Sequence, residues 1–188
     1  MASLDLKSTL IVLAVKEESG NLFENAGILP LYSGIGQVKA GTALMHSLIQ
    51  KKPSVIMNLG TAGSFHRPVG EIVECSAFVQ RHVDSHGRSG PQSKKLFSSG
   101  QLSDWPLVTC GTADFIQFQK AESSTDLFDV MDMEAYALAY VAQSFQIPFY
   151  SIKCISDNSN DNTVQDWKKN LIQSQQKLFS IYQKLFNK

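Results

Sequence analysis

An α/β fold is predicted for this chain by three observations. Short apolar runs alternate along it with stretches of helical period. Near the carboxyl end, a helical pattern stopped by Pro148 gives way to the extended run Phe149 to Ile155, which halts at the polar triplet Ser156-Asp157-Asn158. And 188 residues suit one core, a chain of that size burying roughly 70% of its unfolded surface.

Thr9 to Val15 forms the first apolar run and Val38 to Ile49 the first helical stretch, followed by apolar runs at Val55 to Leu59 and Ile72 to Val79. Gly34 and Gly36 precede the helical stretch. They do not make a dinucleotide fingerprint, because the third glycine would fall at Lys39. Val83 to Trp105 is rich in Ser, Gly, Lys and Gln without a sustained period and reads as a loop. Leu107 to Cys110 is a further run, and Met133 to Phe145 a helix. From Glu134 its apolar positions Leu138, Ala139, Val141, Ala142 and Phe145 recur at helical spacing. In the closing helix Trp167, Leu171, Leu178, Ile181 and Leu185 form an amphipathic stripe, read as packing with no chemistry.

Seventeen basic and seventeen acidic residues cancel, and no basic stripe stands out, so a nucleic-acid partner is not expected. A small neutral or zwitterionic ligand is. The apolar run near the amino end is too brief for a signal-peptide core or a membrane span, which points to a cytoplasmic protein without membrane association. Cys75, Cys110 and Cys154 are odd in number and widely spaced, and read as buried free thiols. His82 and His86, with Asp84 between them, have the separation of two ligands on one helical face. Their surroundings are not helical and no further ligand cluster accompanies them, so no metal is assigned. Arg81 and His82 are placed at the mouth of a pocket instead. No cofactor is expected.

The end of a strand at the carboxyl edge of an α/β sheet is where such folds build ligand sites, so Glu134 and Asp157 are expected to face one pocket. Around them the string MDMEAYALAYV, then a strand, then SDN, resembles the carboxyl-terminal signature of the nucleoside phosphorylase and nucleosidase superfamily. It is most similar to that of the 5′-methylthioadenosine/S-adenosylhomocysteine nucleosidases. Four earlier blocks come in the family's order: LIVLAVKEES, YSGIGQVKAGTAL, VIMNLGTAGSF with VGEIVE, and GTADFI. The resemblance spans nearly the whole chain. It implies one phosphorylase-like domain over residues 1–188, shortened around 85–105, with a central mixed twisted sheet flanked by helices in three layers. It also implies a nucleoside substrate, a homodimer and a place in methionine salvage.

The same resemblance implies roles. Asp157 would protonate or hydrogen-bond N7 of the leaving base. On its own, the residue reads as a cap of the turn around it. Glu18, or Glu17 if the register slips by one, would orient and deprotonate an attacking water, as the base of an inverting glycosidase does. The plain alternative is an acidic helix start favoured by the helix dipole. Glu134 would accept hydrogen bonds from the ribose hydroxyls, with Met133 packed beneath the sugar; the plain alternative is a helix-start glutamate beside a core methionine, and the neighbouring Asp132 is read as such a helix-start acid. Phe115 would stack on the base, and the backbone of Ile116 would read its edge. In GTADFI the aspartate Asp114 stands later than in the family order. Thr61, Ala62 and Gly63 are read as a turn after a strand, lining the pocket near the sugar and the water. Lys153 stands where these enzymes carry arginine, a cation with less directional anion binding.

Hydrolysis of a 5′-modified adenosine is therefore the expected activity. Phosphorolysis is the alternative, disfavoured because KEES offers a carboxylate where a phosphate would have to bind. A non-catalytic nucleoside-binding relative is the other.

Overall fold

The computed structural model describes residues 8–81, 94–115 and 128–186. Ile116, His82, Asp84 and His86 lie outside them, as do residues 85–93 of the shortened stretch assigned to 85–105. In chain order the elements are β1 (Thr9–Leu13), a single 3₁₀ turn (Lys16–Glu18), α1 (Leu22–Asn25), β2 (Leu31–Tyr32) and α2 (Gln37–Gln50). Then come β3 (Val55–Gly63), β4 (Ile72–Gln80), β5 (Leu96–Phe97), β6 (Leu107–Thr112), β7 (Val130–Asp132), α3 (Ala135–Ser144), β8 (Phe149–Asp157) and α4 (Thr163–Phe186).

The eight strands make one mixed sheet, ordered β2-β1-β3-β7-β6-β4-β5, with β8 joined to both β3 and β4. Because β8 runs parallel to β3 and antiparallel to β4, the pairings β3-β8-β4-β6-β7-β3 return to their start. The centre of the sheet therefore curls into a closed ring of five strands, and no strand in it has an open edge.

Two apolar layers sandwich the sheet, and the period-2 alternation of the strands sorts residues between them. Val12, Ile56, Phe149 and Ile155 join Leu44 and Leu48 of α2 and Leu138 of α3 in one cluster. Their strand neighbours Ile11, Leu13, Met57, Leu59, Tyr150 and Ile152 join Leu178, Ile181 and Tyr182 of α4 in the other. This is the expected mixed sheet with helices on both faces. All three cysteines are buried free thiols. No helix among the described residues is long and apolar enough to cross a membrane.

Several local expectations are corrected. β3 runs four residues past Leu59, so Thr61, Ala62 and Gly63 are the end of a strand, paired with β8 as far as Gly63 and Asp157 through a register shift between Ala62 and Gly63, and not a turn. Asp157 likewise ends β8 instead of coming after it. The helix expected from Met133 starts at Ala135, since Asp132 is spent on the short strand β7, which pairs with β6 and with Gly63. Within the supposed loop 83–105, Leu96 and Phe97 pair with Phe78 and Ala77. Glu74, buried in β4, secures the segment after β5 by accepting from the Leu102 N–H at 2.8 Å and the Ser103 hydroxyl at 3.2 Å.

Candidate active site

The parallel strands β1, β3 and β8 end on the same side of the sheet, and the segments leaving those ends close round a cavity of about 260 Å³. Glu18, Thr61, Ala62, Gly63, Met133, Glu134, Asp157 and Phe115 all line it, together with Arg81, Met131, Ser156 and, from α4, Val164 and Trp167. Four carboxylates, Glu18, Asp132, Glu134 and Asp157, thus line it, each no more than 7% exposed.

Glu18 is carried in by the 3₁₀ turn after β1, which folds the chain back over the end of β3. Its Oε1 accepts from the Thr61 N–H at 2.7 Å and the Thr61 hydroxyl at 2.8 Å. Its Oε2 accepts from the Ala14 N–H at 3.1 Å. Three donors on one carboxylate fix its direction. Glu17, the alternative, is exposed on the same turn.

Asp157 sits where β8 ends. One oxygen accepts from the Ser156 hydroxyl at 2.8 Å and the other from the Ser159 N–H at 2.9 Å. The turn-capping geometry foreseen from sequence is therefore present, and the same carboxyl also borders the cavity. Gly63 makes this possible: a Cβ there would stand 2.7 Å from the Asp157 carboxyl oxygen, so any side chain would expel the acid from its position.

Glu134 occupies the N-cap position of α3, yet its side chain does not cap that helix. Oε1 instead accepts from the Gly36 N–H at 2.9 Å, across the cavity at the start of α2. Gly36 adopts φ 95°, a left-handed conformation open to glycine at little cost. Burial, aided by the charge of Asp132 and opposed by Lys153, pushes the Glu134 carboxyl up to about 8. In the unfolded chain it titrates near 4.5. Between these values the native state holds a proton that the unfolded state has lost, so the contribution of Glu134 to stability falls as pH rises from about 4.5 to about 8. Thermal melts of the ligand-free protein should show this decline, and Glu134→Gln should flatten it; an identical slope in the variant would contradict the assignment.

The helix α3 is capped by Asp132, the acid that the sequence reading placed at the helix start. Its Oδ2 accepts from the Ala135 N–H at 2.9 Å and its Oδ1 from the Thr112 hydroxyl at 2.6 Å. The Lys153 ammonium closes on Oδ2 at 2.9 Å, with both side chains at most 2% exposed. Burial disfavours both charges, but each partner holds the other ionised: Lys153 is raised and Asp132 lowered. Lys153, expected as a ligand for an anion, is not among the residues lining the cavity. Its charge is consumed behind the wall, beneath Gly60, where a Cβ would lie 3.4 Å from the ammonium and 3.3 Å from Glu18 Oε1.

On the opposite side, Phe115 is 43% exposed, with the Arg81 guanidinium carbon 5.3 Å from its ring centroid. An Arg81 N–H also donates to the Phe115 carbonyl at 3.3 Å. Arg81 thus backs the aromatic face expected to stack on a base. Asp114, displaced in the sequence block, accepts from the Gln37 N–H at 2.7 Å and so holds the first turn of α2. Among the described residues no group of acids, histidines and cysteines could hold a metal.

One lining residue was misread from the sequence. Trp167 is not simply part of the packing stripe: its indole N–H donates to the Thr61 hydroxyl at 3.1 Å. Two residues of the stripe, Leu178 and Ile181, are buried as expected, but Trp167 lies about one turn from the start of α4, at the cavity.

Comparison with known proteins agrees with this arrangement. A model of the phosphorylase superfamily matches residues 108–187. A 5′-methylthioadenosine/S-adenosylhomocysteine nucleosidase from Shewanella piezotolerans is 25% identical over 92% of this chain and 86% of its own length. One from Bacillus licheniformis is 27% identical over 78% and 74%. Among solved structures, the Helicobacter pylori nucleosidase with butyl-thio-DADMe-Immucillin-A superposes with a TM-score of 0.84 at 18% identity, covering 94% of this chain and 96% of that one. The Streptococcus pyogenes S-adenosylhomocysteine nucleosidase gives 0.84 at 16% identity over 98% and 97%. The chain has the fold of these proteins, and its sequence similarity to the Shewanella piezotolerans nucleosidase extends over most of its length.

Proposed function

We propose, taking the chain as a phosphorylase-superfamily protein, that it is a purine nucleosidase. It hydrolyses the N-glycosidic bond of a 5′-modified adenosine such as methylthioadenosine or S-adenosylhomocysteine, and releases adenine and the 5-substituted ribose. The observation that carries this reading is the convergence of Glu18, Glu134 and Asp157 on one cavity, with Glu18 held as an anion acceptor by three donors.

The chemistry divides among them. Glu18 takes a proton from a water whose oxygen forms the new bond to C1′. The C1′–N9 bond breaks and its electron pair passes into the purine, where N7 receives a proton or hydrogen bond from Asp157. Between these events the sugar carries positive charge, which the Glu18 carboxylate offsets while Glu134 engages the ribose hydroxyls. Met133 lies under the sugar, and Phe115, backed by Arg81, stacks on the base. Phosphate finds little welcome beside Glu18, and Lys153 is already paired with Asp132. Both features favour water as the nucleophile.

Incubation with methylthioadenosine, S-adenosylhomocysteine, adenosine and inosine, with and without phosphate, tests the reading. Free base and free sugar independent of phosphate are expected. Base release only with phosphate would make the protein a phosphorylase, and no release from any nucleoside would leave a binding protein.

The proposal extends to a single-domain cytoplasmic homodimer. Val38, Met45 and Ile49 are exposed at helical spacing along α2, an apolar stripe that a second copy could cover. Sedimentation of the purified chain as a monomer would contradict the dimer.

A further inference from the structure

The contact between α4 and the end of β3 fixes more than packing. An indole N–H can only donate, a carboxylate can only accept, and a hydroxyl has one hydrogen and two lone pairs. With Trp167 donating to Thr61 Oγ1 at 3.1 Å, that oxygen is committed as an acceptor on this side. Its own hydrogen is then directed at Glu18 Oε1, 2.8 Å away. The chain of donors runs one way, from Trp167 through Thr61 to Glu18. Oε1 thereby receives two donors, since the Thr61 N–H also reaches it at 2.7 Å, whereas Oε2 receives only the Ala14 N–H. Oε2 keeps a lone pair for another partner. The helix end that carries Trp167 is itself fastened to the site, because Asn170 donates to the Ser156 carbonyl at 2.9 Å, next to Asp157.

We propose that Trp167 is a positioning residue for the hydrolytic step: its indole N–H commits the Thr61 hydroxyl to Glu18 and so leaves Oε2 of that carboxylate as the oxygen that takes the proton of the attacking water. This role rests on the nucleosidase reading above. It also separates two tasks that one side chain performs, since Trp167 borders the cavity while its N–H donates to the Thr61 hydroxyl.

Phenylalanine keeps most of the ring and removes the N–H. Trp167→Phe is therefore expected to lower kcat roughly 2- to 12-fold, the value of one hydrogen bond, with KM changed by less than about twofold. Thr61→Ser, which keeps the hydroxyl, should retain most of the activity, and Thr61→Val should lose more than Trp167→Phe does. In the Thr61→Val background, Trp167→Phe should have no further effect on kcat, because the relay is already broken. Independently of turnover, the ¹⁵N–¹H indole resonance of Trp167, assigned by its loss in Trp167→Phe, should move in Thr61→Val and stay near its place in Thr61→Ser.

An effect of Trp167→Phe that persists in full on Thr61→Val, or that raises KM and leaves kcat intact, would make Trp167 a pocket wall and overturn the relay. So would an indole resonance indifferent to Thr61→Val. An active wild type with an unaltered Trp167→Phe variant would overturn this role alone. A wild type that releases no base would overturn the nucleosidase reading and this role with it.

Discussion

Replacing Asp157 with asparagine is expected to lower kcat by about 10²- to 10⁴-fold, the usual contribution of a positioned proton donor, while nucleoside binding persists. The variant should fold normally. The Ser159 N–H that donates to Oδ1 can donate equally to the asparagine carbonyl, and the Ser156 hydroxyl opposite Oδ2 can turn to accept from the new amide. Shape and local hydrogen bonding survive; the transferable proton does not. Calorimetric titration with a non-hydrolysable nucleoside analogue, beside steady-state rates, separates the two effects. Full turnover in the variant would reduce Asp157 to the turn-capping residue that its bonds to Ser156 and Ser159 would otherwise make it.

The second large effect belongs to stability. Lys153→Met should destabilise the protein by about 3–5 kcal/mol, because it strands the Asp132 carboxylate in a site with almost no solvent. For a chain of this size that corresponds to a fall in Tm of roughly 6–20 °C. Adding Asp132→Asn should recover much of the loss, since a neutral amide needs no counter-charge and its carbonyl still accepts from the start of α3. Thermal melts of the single and double variants measure this directly. If Lys153 instead served an anionic ligand, as its position in the sequence implies, the single variant would melt near the wild type and show its defect in KM.

This pair marks where sequence reading stopped. Glu134 and Asp157 were legible from their places at the ends of regular elements, and Glu18, Thr61 and Met133 from the resemblance of their blocks to a known family. Their convergence came from one topological fact, that parallel strands end on the same side. Asp132 and Lys153 were legible as charges but not as partners. One belongs to a three-residue strand and the other to the middle of a nine-residue one, and only the curl of the sheet brings them to 2.9 Å. Short pairings were missed for a related reason. β5 and β7 have two and three residues, too few for a period to register, and neighbouring strands hold them in place. Trp167 was misassigned because helical spacing reports which face is apolar, not where along its length a helix leaves the core.

The account's central claim is that water attacks the sugar under the control of the Glu18 carboxylate. Turnover of methylthioadenosine in ¹⁸O-enriched water without phosphate, monitored by mass spectrometry of the sugar immediately after release, tests it most directly. One ¹⁸O atom in each molecule of free 5-methylthioribose, at a rate that collapses in Glu18→Gln, is the result expected. Sugar without the label, a requirement for phosphate, or an undiminished rate in Glu18→Gln would contradict it.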